Sequence, residues 1–145
     1  MATERRAEVT WNGDLMSGSG TIDRVATGAF GPLDVSWPAR AEDPAAGKTS
    51  PEELLAAAHA SCFSMSLAHG LAQSGNAPER LSTSATVTFV PGTGITKIVL
   101  SVRGTVPGLD AEGFREAAEA AKAGCPVSQA LAGVKEITLE TALDA

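Results

Sequence analysis

The chain has 145 residues, a formal net charge of −6, and 43% hydrophobic against 19% charged residues. That length is enough for one domain with its own core and without metal or disulfide support, and the composition excludes disordered and collagenous classes. The acidic balance, with no basic stripe and no tyrosine, excludes functions that depend on neutralising phosphates, so no nucleic-acid partner is expected.

The opening MATERRAEVTW has basic residues with no apolar stretch behind them, which does not fit a secretory leader. Leu54 to Ala72 is of membrane-spanning length but carries His59, Cys62, His69 and three serines, too many polar groups for a lone span. No membrane partner is expected, and the cytoplasm is the expected location. The whole chain, 1–145, reads as a single α+β domain.

In chain order, apolar–polar alternation near Ala7 to Trp11, Gly18 to Ile22 and Leu33 to Trp37, separated by NGD and GSG turn signals, predicts an N-terminal antiparallel meander. Trp11 and Trp37 are expected to pack on this sheet. PARAEDPAAGKT, Pro38 to Thr49, has the Pro, Gly and Asp content of a loop, with Arg40 inside it.

A long helix follows. Ser50 suits the N-cap, Pro51 the first helical position and Glu53 the third, a capping box that leaves Glu52 without a structural task. No strong stop comes before Gly75, Asn76 and Pro78, so the helix is expected to run about 24 residues, or roughly 36 Å. It is apolar or small on nearly every face, from Leu54 and Leu55 through Phe63, Met65 and Leu67 to Leu71. One sheet covers one side of such a helix and something else must cover the rest. Its alanines and serines suit close approach of the same helix from a second copy, so a homodimer with two such helices at its centre is expected.

Ser82 to Phe89 and Ile95 to Val106 then alternate around PGTG and predict a hairpin, with Ile98, Leu100 and Val102 opposite Lys97, Ser101 and Arg103. A second helix starts at Asp110 as N-cap, carries Phe114, Ala117, Ala118 and Ala121 on one face, and stops at Gly124. Cys125-Pro126 opens a short helical piece, VSQAL, and Glu136 to Leu143 closes the chain as an alternating strand.

The two cysteines, Cys62 and Cys125, are far apart in the chain with no CxxC, so zinc-finger and thioredoxin-type motifs do not fit. In a reducing compartment a transient, catalytic disulfide is allowed where a permanent one is not. A cysteine of ordinary pKa is only about 3% thiolate at pH 7, and making the thiolate the main form takes a shift of about two units, roughly 2.7 kcal/mol. By local sequence Cys125 has the better claim to that help, since it stands at the N-cap of a short helix, whereas Cys62 lies mid-helix and needs an outside charge. Two inert core thiols are the plain alternative.

The run SPEELLAAAHASCFSMSL, Ser50 to Leu67, together with ITKIVLSVRGTVPGLD and AKAGCPVSQAL, resembles the OsmC/Ohr family of thiol-dependent peroxidases, the OsmC branch more than the Ohr branch. Order and spacing agree from about Trp11 to the C-terminus. The resemblance implies that Cys62 is the peroxidatic cysteine, Cys125 the resolving cysteine, Arg40 the arginine that contacts the reactive thiolate, and Glu52 the carboxylate that holds that arginine. It also implies an intertwined homodimer with shared sites, organic hydroperoxides as substrates, no metal, haem or flavin, and an external dithiol, lipoyl-type in the Ohr branch, as reductant.

Helix geometry constrains this picture. Glu52 and Cys62 stand about 15 Å apart along one helix axis, too far to share one arginine directly. The expected site is therefore composite, with Glu52 supplied by one chain, Cys62 by the other, and Arg40 between them.

Phe63 and Met65 are candidates for an apolar groove that would favour organic peroxides, although plain core packing explains them as well. His59 is expected to be a hydrogen-bonded helix histidine rather than a metal ligand, and a cysteine hydrolase using Cys62 with His59 lacks a recognisable oxyanion motif. A redox-sensing or binding protein that uses the same cysteine pair without turnover is the competing class.

Overall fold

The computed structural model describes residues 1–42 and 47–144. Residues 43–46, part of the predicted loop, lie outside the described residues. The chain forms two compact units, Met1–Leu54 and the stretch from Leu55 onward.

The first unit holds a four-stranded sheet in the order β1 (Ala7–Asn12), β2 (Ser19–Val25), β3 (Leu33–Val35), β4 (Lys48–Thr49). The first three strands are the predicted antiparallel meander, and β4 adds to β3 in parallel. Trp11 pairs with Gly20 across β1 and β2, and its ring lies over the glycine: a Cβ there would come within 2.6 Å of Trp11 Cε3. Only glycine leaves room for that ring.

Two features depart from the sequence expectation. Strand β3 stops at Val35, and Trp37 does not extend it but opens a short helix, α1 (Trp37–Ala41), within the segment predicted as loop. The local reason is Ser36, whose hydroxyl accepts from Ala39 N at 3.3 Å, followed by a proline in the first helical positions. Arg40 therefore sits in the last turn of a helix instead of a free loop.

Helix α2 (Pro51–Gln73) has 23 residues and is long and apolar enough, by length and composition alone, to cross a membrane. Half of the expected capping box forms, with Ser50 Oγ accepting from Glu53 N at 3.2 Å. The Glu53 carboxylate instead accepts from Thr49 Oγ1 at 3.0 Å.

The second unit packs α2 and α3 (Ala111–Gly124) on a sheet of β5 (Arg80–Val90), β6 (Gly94–Thr105) and β7 (Glu136–Leu143). β5 and β6 form the predicted hairpin, while β7 runs parallel to β6. Parallel neighbours need a crossover, supplied by α3 and α4 (Pro126–Ala130).

Phe63, Leu67 and Leu71 from α2 meet Leu100 and Val102 from β6 and Phe114 and Ala118 from α3, all essentially without solvent exposure. Each large side chain so buried contributes about 1.5–3 kcal/mol of transfer free energy. Gly104 makes space for Phe114, since a Cβ there would meet the ring at 2.6 Å. The opposite stripe of α2 is uncovered in the single chain: Ala58, Ser61, Met65 and His69 are exposed, Met65 by 71%.

Candidate functional site

The predicted site residues fall into two groups. In the first unit, Arg40 and Glu52 form an ion pair within one chain. Arg40 Nε donates to Glu52 Oε1 at 3.0 Å and to Oε2 at 3.2 Å, and Nη2 donates to Oε1 at 2.9 Å. The Glu52 side chain is only 9% exposed and that of Arg40 31% exposed. Glu52 is thus the one first-turn carboxylate of α2 that is buried, and Arg40 on α1 neutralises it with planar, paired donors that a lysine lacks. This is the task that capping left open for Glu52.

In the second unit, Cys62 on α2 packs against the core cluster that holds Cys125, the N-cap of α4, and the two thiols are close enough to influence each other's ionisation. Cys62 is partly exposed and Cys125 fully buried, and both are free thiols. Burial pushes the Cys62 thiol up, and the Cys125 sulfur adds to that, against an opposing hydrogen bond from the Val127 backbone N–H. Burial alone would also raise Cys125. There it is outweighed by the nearby Ser128 N–H, Cys62 thiol, Ser128 hydroxyl and Val127 N–H, which favour the anion and leave Cys125 below its ordinary value. Of the two thiols, Cys62 is the one shifted up and Cys125, the cysteine at a helix N-cap, the one shifted down.

Ser128 is the residue that sequence reasoning missed. It is 8% exposed and lies on α4 one turn beyond Cys125. The available signal was a serine three positions after an N-cap cysteine, in a short helix with little other polarity. Its hydroxyl is 2.7 Å from Nε2 of His59, which is fully buried. His59 is the hydrogen-bonded helix histidine expected, with a partner the sequence did not name, and burial holds its imidazole below the ordinary value. Phe63 belongs to the core, and Met65 stands in solvent on the other side of α2.

These elements define an α+β chain with a paired-thiol site: one cysteine in the middle of a long helix, a second at the head of a short one. Residues 43–140 match the OsmC-like protein family, and the chain belongs to it. It is 39% identical over 143 residues to peroxiredoxin OsmC of Escherichia coli K12, covering 97% of this chain and 96% of that protein. The fold is similar to the OsmC-like protein of Mycoplasma pneumoniae, with a TM-score of 0.73 at 17% identity and full coverage of both chains. It is also similar to the organic hydroperoxide resistance protein OhrB of Bacillus subtilis, with a TM-score of 0.60 at 26% identity over 96% of this chain and 98% of that one.

Proposed function

We propose that the protein is a cysteine-based peroxidase that reduces organic hydroperoxides, and hydrogen peroxide less efficiently, to alcohols or water. The single observation that carries this reading is the nearness of Cys62 and Cys125, which come from distant parts of the chain and meet at one core cluster, as formation of a disulfide between them requires.

Cys62 attacks as the thiolate on the terminal peroxide oxygen. An S–O bond forms, the O–O bond breaks, and the alkoxide leaves with a proton as alcohol, giving a sulfenic acid at Cys62. Cys125 then attacks the Cys62 sulfur, the S–S bond forms, the S–O bond breaks, and water leaves. An external dithiol, lipoyl-type as in the Ohr branch, returns both cysteines to thiols. The chemistry calls on no metal, haem or flavin, and a reducing compartment such as the cytoplasm suits a disulfide that must be reopened.

The cation for Cys62 comes from Arg40 in a homodimer. Arg40 and Glu52 act as one unit, and the axial separation of Glu52 from Cys62 on α2, about 15 Å, favours delivery of that unit to the Cys62 of the partner subunit. The uncovered stripe of α2 around Met65 supports helix-to-helix association of two copies. A guanidinium placed there moves anionic character from Cys125 to Cys62 and donates to charge developing on the leaving oxygen.

The test is consumption of cumene hydroperoxide by purified protein with a dithiol. Sustained turnover by the wild type and none by Cys62→Ser is expected. Full activity in Cys62→Ser overturns the assignment, and a single disulfide formed without further consumption means a sensor instead of an enzyme.

A further inference from the structure

We propose that external thiols enter the site only at the Cys62 sulfur, and that Cys125 acts as a sealed leaving group: the dithiol opens the Cys62–Cys125 disulfide by joining Cys62. The proposal deepens the peroxidase reading and rests on it for the disulfide itself; the choice of sulfur rests on burial and backbone geometry.

Cys125 has no solvent exposure in the single chain, and assembly of copies can only add cover. It belongs to the core cluster with Leu67, Val102, Phe114 and Ala121, whereas Cys62 packs against that cluster and stays partly exposed. The Cys125 backbone is tied on both sides. It closes α3, its N–H donating to Ala121 O at 2.9 Å, and opens α4, its carbonyl accepting from Gln129 N at 3.0 Å. Helix α4 has five residues, too few to hold itself, and a buried contact fixes it on α2, where Ser128 Oγ lies 2.7 Å from His59 Nε2. Baring the Cys125 sulfur therefore means lifting α4 together with the last turn of α3. Cys62 needs no such opening.

Leaving-group chemistry points the same way, since a disulfide opens faster when the expelled thiol has the lower pKa. Attack at Cys62 expels Cys125, the thiol held below its ordinary value; attack at Cys125 would expel Cys62, the thiol pushed up. A reductant thiolate bonds to the Cys62 sulfur, the Cys62–Cys125 bond breaks, and its electron pair leaves on Cys125. The second thiol of the reductant, as thiolate, attacks the sulfur joined to Cys62. The reductant closes as a disulfide and Cys62 leaves as thiolate, and the two protons lost by the dithiol end on the two cysteines. The plain alternative is that α4 opens often enough for either sulfur to react. A pKa difference of one unit changes the thiolate fraction at most about tenfold, whereas a core sulfur is bared in about one chain in a thousand or fewer. Burial decides.

The test starts from protein oxidised with diamide, which closes disulfides without peroxide. β-mercaptoethanol is added briefly, exchange is stopped with acid, and the unfolded chain is treated with N-ethylmaleimide and mapped by mass spectrometry. The mercaptoethanol adduct is expected on Cys62 with maleimide on Cys125, about tenfold or more over the reverse pattern. Single-cysteine variants give a second measurement. DTNB is expected to react with Cys62 in folded Cys125→Ser about 100-fold faster than with Cys125 in folded Cys62→Ser, and guanidinium chloride to erase the difference. Adducts mainly on Cys125 in the wild type, or equal rates in the two folded variants, overturn the entry route alone. Absence of a Cys62–Cys125 disulfide after diamide overturns the cysteine pairing and the route with it, so the two failures are told apart.

Discussion

Arg40 and Glu52 of one chain are joined by paired hydrogen bonds, the shortest 2.9 Å, with the carboxylate nearly out of solvent. Removing one partner of such a pair leaves the other charge poorly compensated, which costs more than the pair contributes. Under the proposed mechanism the pair also aims the guanidinium. Arg40→Lys keeps the charge but loses the fork and is expected to slow sulfenic acid formation about 100-fold. Glu52→Gln, which leaves Arg40 without its anchor, is expected to slow it about tenfold. Rapid-mixing measurement with one equivalent of peroxide checks both, and a wild-type rate in Arg40→Lys contradicts the role.

Phe63 follows Cys62 in sequence but belongs to the core cluster with Leu100 and Phe114. Phe63→Ala is expected to cost about 3–5 kcal/mol, which lowers the melting temperature by roughly 10 °C or more. Val9→Ala, at an exposed position on β1, is expected to change it little. Differential scanning calorimetry reads both variants.

Met65 stands in solvent on the uncovered stripe of α2. If that stripe is the dimer seam, Met65→Asp places a charge in an apolar contact. The expected result in light scattering is a dimer for the wild type and a shift towards monomer for the variant. An unchanged dimer moves the seam elsewhere.

His59 gives the protein a pH dependence of known sign. Burial holds its folded-state value below the ordinary one of about 6.5, so between those values the unfolded chain binds a proton that the folded chain does not. Stability therefore falls as pH is lowered from about 7 towards 5. His59→Gln removes this term, and its melting temperature is expected to fall less steeply over that window, measured against wild type in the same buffers.

The sequence carried the long helix, the hairpin, the second helix and the closing strand, because alternation, the Ser50 and Asp110 caps and Gly124 all pointed one way. It missed α1, where five residues leave no periodicity to read and only Ser36 and Pro38 signal a helix. It did not reveal that β4 joins β3, or that β7 joins β6, in parallel, since pairing direction is a tertiary property. At the site, Cys62, Cys125, Arg40 and Glu52 were singled out through family resemblance; the structure pairs Arg40 with Glu52 and packs Cys62 against the cluster that holds Cys125. Ser128 was not legible, because its meaning depends on a buried imidazole 69 positions away.

The most direct test of the central claim is mass spectrometry after one equivalent of cumene hydroperoxide without reductant. The account predicts a Cys62–Cys125 disulfide in the wild type, and sulfenic or sulfinic acid confined to Cys62 in Cys125→Ser. Oxidation accumulating on Cys125 while Cys62 stays reduced in a Cys62-containing chain would contradict it.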